Sequence, residues 1–270
     1  MSFEGLKLRM NLLVLNIKFT WQRDVAYFAN NLGNLSSTIF YCLFYILFLK
    51  LLFGRINTLG GFDYNDMLFL MLVGQTMFYT MAATGLQNLD AMTSDISRGN
   101  FDLLLLKPIP QKFYITNRWI SIVRLLSDGL INQLILVVLI DWSSLGLTVN
   151  NVCFGMVTLV LGFFANRTLT LMLAVPSLFS GSAAAEFRNL FWNLQGTTTV
   201  PYTTLPRWFQ VVSVFALPNY LVASLSGIVM IGRFSPIVAI TISLGSYIFI
   251  RSLFNYWWAK GLRSYTSSSS

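Results

Sequence analysis

The chain has 270 residues, of which 55% are hydrophobic and only 10% charged, with a mean hydropathy of +0.65; soluble domains carry about 25% charged residues, so a water-soluble globular fold is excluded. It has no histidine and two cysteines, Cys42 and Cys153, both inside apolar stretches, which leaves no His-based triad, no His-ligated metal and no metal-binding spacing. The net charge of +8 sits in short segments beside apolar runs, so membrane topology and anionic lipid account for it and nucleic acid is not expected as a partner.

Apolar runs of about twenty residues recur, each long enough to cross the ~30 Å hydrocarbon layer as a helix. In lipid, backbone N–H and C=O groups must pair within the protein, which leaves helices or a closed barrel. Continuous apolar runs select helices, because barrel strands alternate. Residues 1–31 place Lys7, Arg9, Lys18, Arg23 and Asp24 among Leu6, Met10, Leu13 and Ile17. This predicts an amphipathic helix in the membrane interface, with Phe19, Trp21, Tyr27 and Phe28 as anchors. The stretch lacks the compact apolar core and cleavage site of a signal peptide.

Spans are expected at Leu32–Phe53, Met67–Leu86, Trp119–Ile140 and Val152–Ser180, joined by polar segments Gly54–Asn65, Gln87–Arg118 and Asp141–Asn150. The pattern then breaks. Ala183–Thr199 mixes Glu186, Arg188, Asn189, Asn193 and Gln195 with apolar residues, and Pro201, Pro206 and Pro218 exclude one straight helix after it. Two broken segments that dip into the membrane and return, covered by protein, fit this stretch. A last span follows from Ser235 to Trp258, and Ser264–Ser270 is a flexible Ser-rich tail. The fold class read from this pattern is all-α integral membrane, with about six transmembrane helices, an N-terminal interface helix and a broken, re-entrant segment before the last span. Arg98, Lys107, Lys112 and Arg118 fall in the Gln87–Arg118 loop, Lys260 and Arg263 follow the last span, and Asp141–Asn150 has no cation. Both termini and the Gln87–Arg118 loop are therefore expected in the cytoplasm.

The most informative stretch is Asp95-Ile-Ser-Arg-Gly-Asn-Phe-Asp-Leu-Leu-Leu-Leu-Lys-Pro-Ile-Pro110. A solvated loop has no reason to display Phe101 and Leu103 to Leu106. Two readings remain: the block docks into a partner, or it buries against the chain's own helices. Among intramembrane polar residues, which are functional candidates by default, Asp128 lies one turn from Arg124, where an i,i+4 ion pair accounts for it. Arg167 reaches a comparable depth from the fourth span and can bind Asp128 or Glu186; a gate or substrate contact is the alternative. Glu186 with Arg188 reads equally as an end-of-helix pair.

The stretch Ser-Arg-Gly-Asn-Phe-Asp-Leu-Leu-Leu-Leu-Lys-Pro-Ile-Pro resembles the R-G-x-x-D-x-L-L-x-K-P signature of ABC-2-type permeases, in the branch of six-span, drug-exporter-like subunits once grouped as a domain of unknown function. Val200-Pro-Tyr-Thr-Thr-Leu-Pro-Arg-Trp-Phe209 with Ala216-Leu-Pro-Asn-Tyr220, and Trp258-Ala-Lys-Gly-Leu-Arg-Ser-Tyr265, are similar to that branch's later motifs in the same order. Pro201 lacks the usual preceding aromatic, and Phe179-Ser-Gly replaces a Phe-Trp pair. The resemblance implies that residues 32–263 form the transmembrane domain of an ATP-driven exporter of apolar or amphiphilic substrates in a bacterial inner membrane. Two permeases pair, each over a cytoplasmic ATPase that holds ATP and Mg, and residues 87–118 form the coupling loop. The positions it assigns to coupling are Asp95, Arg98, Gly99, Phe101, Asp102, Leu106, Lys107 and Pro108, with Phe101 and the leucines as the knob that fills the ATPase groove. The chain has no Gly-x-x-x-x-Gly-Lys-Ser/Thr stretch, so no cofactor is expected on it. The competing readings are an ion-coupled secondary carrier, of which Asp128 is the only hint, and a non-transporting membrane scaffold.

Overall fold

The computed structural model describes residues 3–179, 201–216, 218 and 221–265. Among these, five helical stretches are long and apolar enough to cross a membrane: Leu32–Phe53, Tyr64–Ser97, Gln111–Leu139, Val149–Leu178 and Pro236–Ser264. The chain is an all-α integral membrane protein.

Helix α1 (Phe3–Ala26) is separated by a turn at Tyr27 from α2 (Phe28–Phe53). Helix α3 (Tyr64–Met81) continues through a π-helical turn, Ala82–Leu86, into α4 (Gln87–Ser97). The short α5 (Phe101–Leu105) and α6 (Gln111–Asn117) follow. Next come α7 (Ile122–Arg124), a second π-helical turn, Leu125–Leu130, and α8 (Ile131–Leu139). Helix α9 (Val149–Met172) ends in a 3-10 turn, Val175–Leu178. Helix α10 (Arg207–Ala216), a third π-helical turn, Leu221–Leu225, and α11 (Ser226–Met230) precede the last helix, α12 (Pro236–Ser264).

The helix starts have local causes. Asp63 caps α3 in a reciprocal box: its carboxylate accepts from the Asp66 N–H at 2.8 Å, and its own N–H donates to Asp66 at 3.0 Å. Ser121 and Thr148 cap α7 and α9 by accepting backbone N–H groups. Several helices outrun the expected spans. The second does not stop at Leu86 but runs 11 residues further as α4; the last reaches Ser264 rather than Trp258. These extensions are polar, so an apolar-run criterion misses them, yet nothing in them breaks a helix. Ser264 is thus helical rather than part of the tail, and 266–270 lie outside the described residues.

The bundle has two distinct ends. At one, Asn65 donates to the Asp141 carbonyl at 2.7 Å and to Ser144 at 2.8 Å, and Arg233 pairs with Asp66 at 2.7 Å. At the other, Arg118 pairs with Asp95 at 2.5 Å, Lys112 bonds Asn255, and the Phe101 ring meets Tyr265 edge-on at 5.3 Å. This second end carries Arg98, Lys107, Lys260 and Arg263 and is called the basic end below.

Before the last span the chain is broken, as the prolines predict. Thr204, at the end of the short Tyr202–Thr204 turn, lies against Gly60 at the end opposite the basic one. Helix α10 descends along α12, where Ser246 donates to the Val214 carbonyl at 2.5 Å and Phe215 packs on Phe249. The π-helical turn and α11 then return, placing Met230 against Gly155 near the start of α9. This is a re-entrant hairpin, and its return limb is fully enclosed: Leu221, Leu225, Ile228 and Val229 have no exposed surface. Small residues permit the approach. A Cβ on Gly227 would come within 2.5 Å of Leu70, and one on Gly155 within 2.3 Å of Met230, the small-residue packing that membrane helices use in place of a hydrophobic drive. Helix α2 is the reverse case. Its Phe40, Tyr41, Phe44, Phe48 and Leu51 are exposed, and only 11% of its apolar stretch is buried, against 67% for Tyr64–Ser97.

The hairpin is latched at the end opposite the basic one. Arg233 reaches the buried Asp66 carboxylate and donates to the Gly61 carbonyl at 2.6 Å, with its guanidinium 5.1 Å from the Phe62 ring centre. Arg233→Ala is expected to destabilise the protein by about 1.5 kcal/mol, the low end for a hydrogen bond to a charged group, because the guanidinium keeps solvent contact. Thermal unfolding in detergent should show the loss. Limited proteolysis should show faster cleavage in Gly54–Asn65, and Arg233→Lys should recover part of both.

Candidate coupling site

The loop with the informative motif is a folded platform. Gly99 takes a left-handed conformation, φ +72°, where a Cβ would be strained, and this turn starts α5 directly after α4. Phe101 has 0% exposure and lies in an apolar cluster with Met92, Ile96, Ile115, Leu178 and Phe254. Phe101 is therefore not the free knob that the resemblance implies: the chain's own α4, α6 and α12, together with Tyr265, supply the surface that buries it. Leu104 joins Phe101 in the cluster. Leu103 and Leu106, on the other face of the same short helix, are 62% and 80% exposed. Burial against the chain's own helices thus holds for Phe101 and Leu104, while Leu103 and Leu106 are left exposed.

The other motif residues divide likewise. Asp95 pairs with Arg118 and fixes α4 to the segment after α6. Asp102 lies beside the Tyr265 phenol, whose pKa is pushed up by burial first and by Asp102 second. Lys107 rests 5.5 Å from the Tyr114 ring centre. Arg98, Lys107 and Pro108 are exposed at the rim. Helix α5 ends at Leu105, just before Pro108, which bars its continuation.

Behind the platform lies a polar knot that sequence reading missed. Arg167 does not bind Asp128. Its Nη2 donates to the Thr116 carbonyl at 2.6 Å and to Asn117 Oδ1 at 2.9 Å, with the Thr84 carbonyl at 3.4 Å. A guanidinium at the C-terminus of α6 meets unsatisfied carbonyls and the negative end of the helix dipole. From the other side, Asn16 of α1 donates to the Asn117 carbonyl at 3.0 Å. Asn88, fully buried, accepts the Trp119 N–H at 2.8 Å and donates to the Trp119 carbonyl at 2.8 Å. The Ser121 N–H donates to the Ala83 carbonyl inside the π-helical turn at 2.9 Å. One signal was legible: Thr76, Thr80, Thr84 and Asn88 recur every four residues, each bonding the carbonyl one turn back, a pattern that bends helices.

Asp128 pairs with Arg124 at 3.8 Å in the expected i,i+4 arrangement and accepts from Ser127 at 2.8 Å. Glu186 and Arg188 lie outside the described residues. Among the described residues no cluster of three or more metal-ligating side chains occurs.

Phe101→Ala is expected to act on stability. Removing a buried Phe costs about 3–5 kcal/mol in cores, so the variant should lose thermal stability and membrane abundance, whereas Leu106→Ala should leave both unchanged. Detergent melting curves of the two variants separate these outcomes.

No curated protein matches the chain. The model of the ABC-2 family transporter proteins matches residues 39–269, which takes in α3 to α12, the folded loop with its buried Phe101, and most of α2. With its helical bundle, hairpin and folded loop all inside the matched region, the chain belongs to the ABC-2 transporter permease family and is a multi-pass membrane transport subunit.

Proposed function

We propose that this permease is the membrane-spanning half of an ATP-binding-cassette exporter whose ATPase is a separate chain. The observation that carries this reading is the division of α5: one face is locked into the bundle by Phe101 and Leu104, while Leu103 and Leu106 project at the basic end with no apolar cover. A membrane-facing role does not suit a face rimmed by Arg98 and Lys107; a groove on a cytoplasmic partner does. ATP and Mg bind on that partner, and its closure pushes on α5. The basic end faces the cytoplasm, as cation placement supports. Two copies, or one copy and a paralogous subunit, form the working unit, with lipid around exposed faces such as that of α2. The substrate, apolar or amphiphilic, leaves the cytoplasm or the inner leaflet of a bacterial inner membrane.

The test follows from the two faces. Leu103→Asp with Leu106→Asp should leave melting temperature and membrane abundance intact. It should remove co-purification of a nucleotide-binding chain and abolish ATP-driven transport, since a central interface anchor costs above about 2 kcal/mol. Full transport by this folded variant would overturn the docking assignment. Orientation has its own check: Ser144→Cys, in a background without Cys42 and Cys153, should react with an impermeant thiol reagent only from outside the cell.

A further inference from the structure

At the basic end a cleft of about 620 Å³ opens between the α1–α2 junction, α4 and the Trp119–Arg124 segment. Arg23, Tyr27, Asp90, Ser94, Trp119 and Arg124 line it. Both walls extend from π-helical turns: Gln87 to Ser94 follows Ala82–Leu86, and Arg124 precedes Leu125–Leu130. Such turns recur at functional sites.

The chemistry of the lining is two-signed. Arg23 is largely committed: it pairs with Asp24 at 2.8 Å, donates to Gln87 at 3.0 Å and stacks 4.4 Å from the Trp119 ring centre. Arg124 is less engaged. Its Asp128 contact is 3.8 Å, beyond the 2.7–2.9 Å of a charge-assisted hydrogen bond, and a guanidinium has five N–H donors. Asp90 lines the same cleft and is exposed on α4, and a carboxylate offers about four acceptor sites. Ser94 adds a hydroxyl. Beside this polar lining, Val25, Leu125, Leu126 and Leu130 are exposed and apolar. The cleft therefore joins an anion donor, a cation acceptor and an apolar flank at the depth where α2 enters its apolar run.

We propose that this cleft binds the headgroup of a phospholipid bearing a primary ammonium, of the phosphatidylethanolamine class. Arg124 holds the phosphate, Asp90 and Ser94 take the ammonium, and the acyl chains lie along Leu126 and Leu130. A quaternary ammonium fits less well, because Trp119, which would otherwise cage it, already carries Arg23 and Arg118, the latter at 5.2 Å. The assignment goes beyond ATP-driven transport and holds whether or not the chain couples to an ATPase.

Native mass spectrometry of the full chain in detergent, with phosphatidylethanolamine, phosphatidylcholine or phosphatidylglycerol of matched acyl chains, tests it. The wild type should retain phosphatidylethanolamine about tenfold over the other two, the factor for one charge-assisted hydrogen bond of about 1.4 kcal/mol. Asp90→Asn, at an exposed position that leaves folding intact, should erase that preference; Arg124→Gln should lower retention of phosphatidylethanolamine about tenfold. Equal retention of the three lipids by the wild type, or an unchanged preference in Asp90→Asn, overturns the proposal. Soluble phosphoethanolamine separates the two sources of this chemistry. Failure to compete at equimolar concentration supports a lipid ligand, whereas equal competition shows that the site takes the free aminophosphate and overturns the lipid assignment.

Discussion

Inside a bilayer no water is present to satisfy a broken helix, and each unpaired backbone group costs several kcal/mol. The interactions around Arg167 and Asn88 answer that constraint where it is most severe. Near the basic end the chain leaves α3 through a π-helical turn, ends α6 and starts α7 within a few residues of one another in space. The carbonyls of Thr84, Thr116 and Trp119, the N–H of Trp119 and the carbonyl of Ala83 all find partners there, from Arg167, Asn88 and Ser121. Without these groups the folded loop could not sit against the ends of α9 and α12, and Phe101 would have no pocket.

The distribution of side chains follows from the same solvent. Large aromatics of α2 are exposed, while the polar residues Thr20, Asn88, Asn132, Thr158 and Ser246 have no exposed surface. On α1 it is Asn16, Thr20 and Asp24 that are buried, whereas Leu6, Met10, Val14 and Trp21 are exposed. That arrangement suits a helix with protein on one side and lipid on the other, with the helix-to-helix glue made of hydrogen bonds. The re-entrant hairpin is the exception that the rule requires: its irregular backbone is tolerated because Leu70, Val73 and α9 cover it.

Apolar length made the spans legible, because crossing hydrocarbon demands it, and three prolines made the hairpin legible, because none can sit inside a straight helix. The motif of the folded loop could be located but not oriented. Around α5 an exposed face and a core face alternate within a few residues, and a run of four leucines carries no pattern that separates them; only the positions of Phe101 and Leu104 against the cluster do so. Arg167 was recognisable as a buried cation, yet its partners are backbone carbonyls, which every residue has and no side-chain pattern announces. Asn88 sat in plain view at the end of a four-residue threonine repeat and read as the first polar residues of a loop.

The continuation of α3 into α4 gives the bundle a long arm at its basic end. Helix α4 adds 11 residues, about 16 Å at 1.5 Å per residue, beyond a turn whose hydrogen bonds are already irregular. With the Ala82–Leu86 turn as fulcrum, displacing the distal tip of this lever by about 3 Å tilts it by roughly 10° over that length. Asp95 ties the arm to Arg118 and Asn88 ties its base to Trp119, so the arm and the segment that opens the third apolar stretch are joined at two points. Under the proposed docking, a push at the tip would load two adjoining helices instead of bending one.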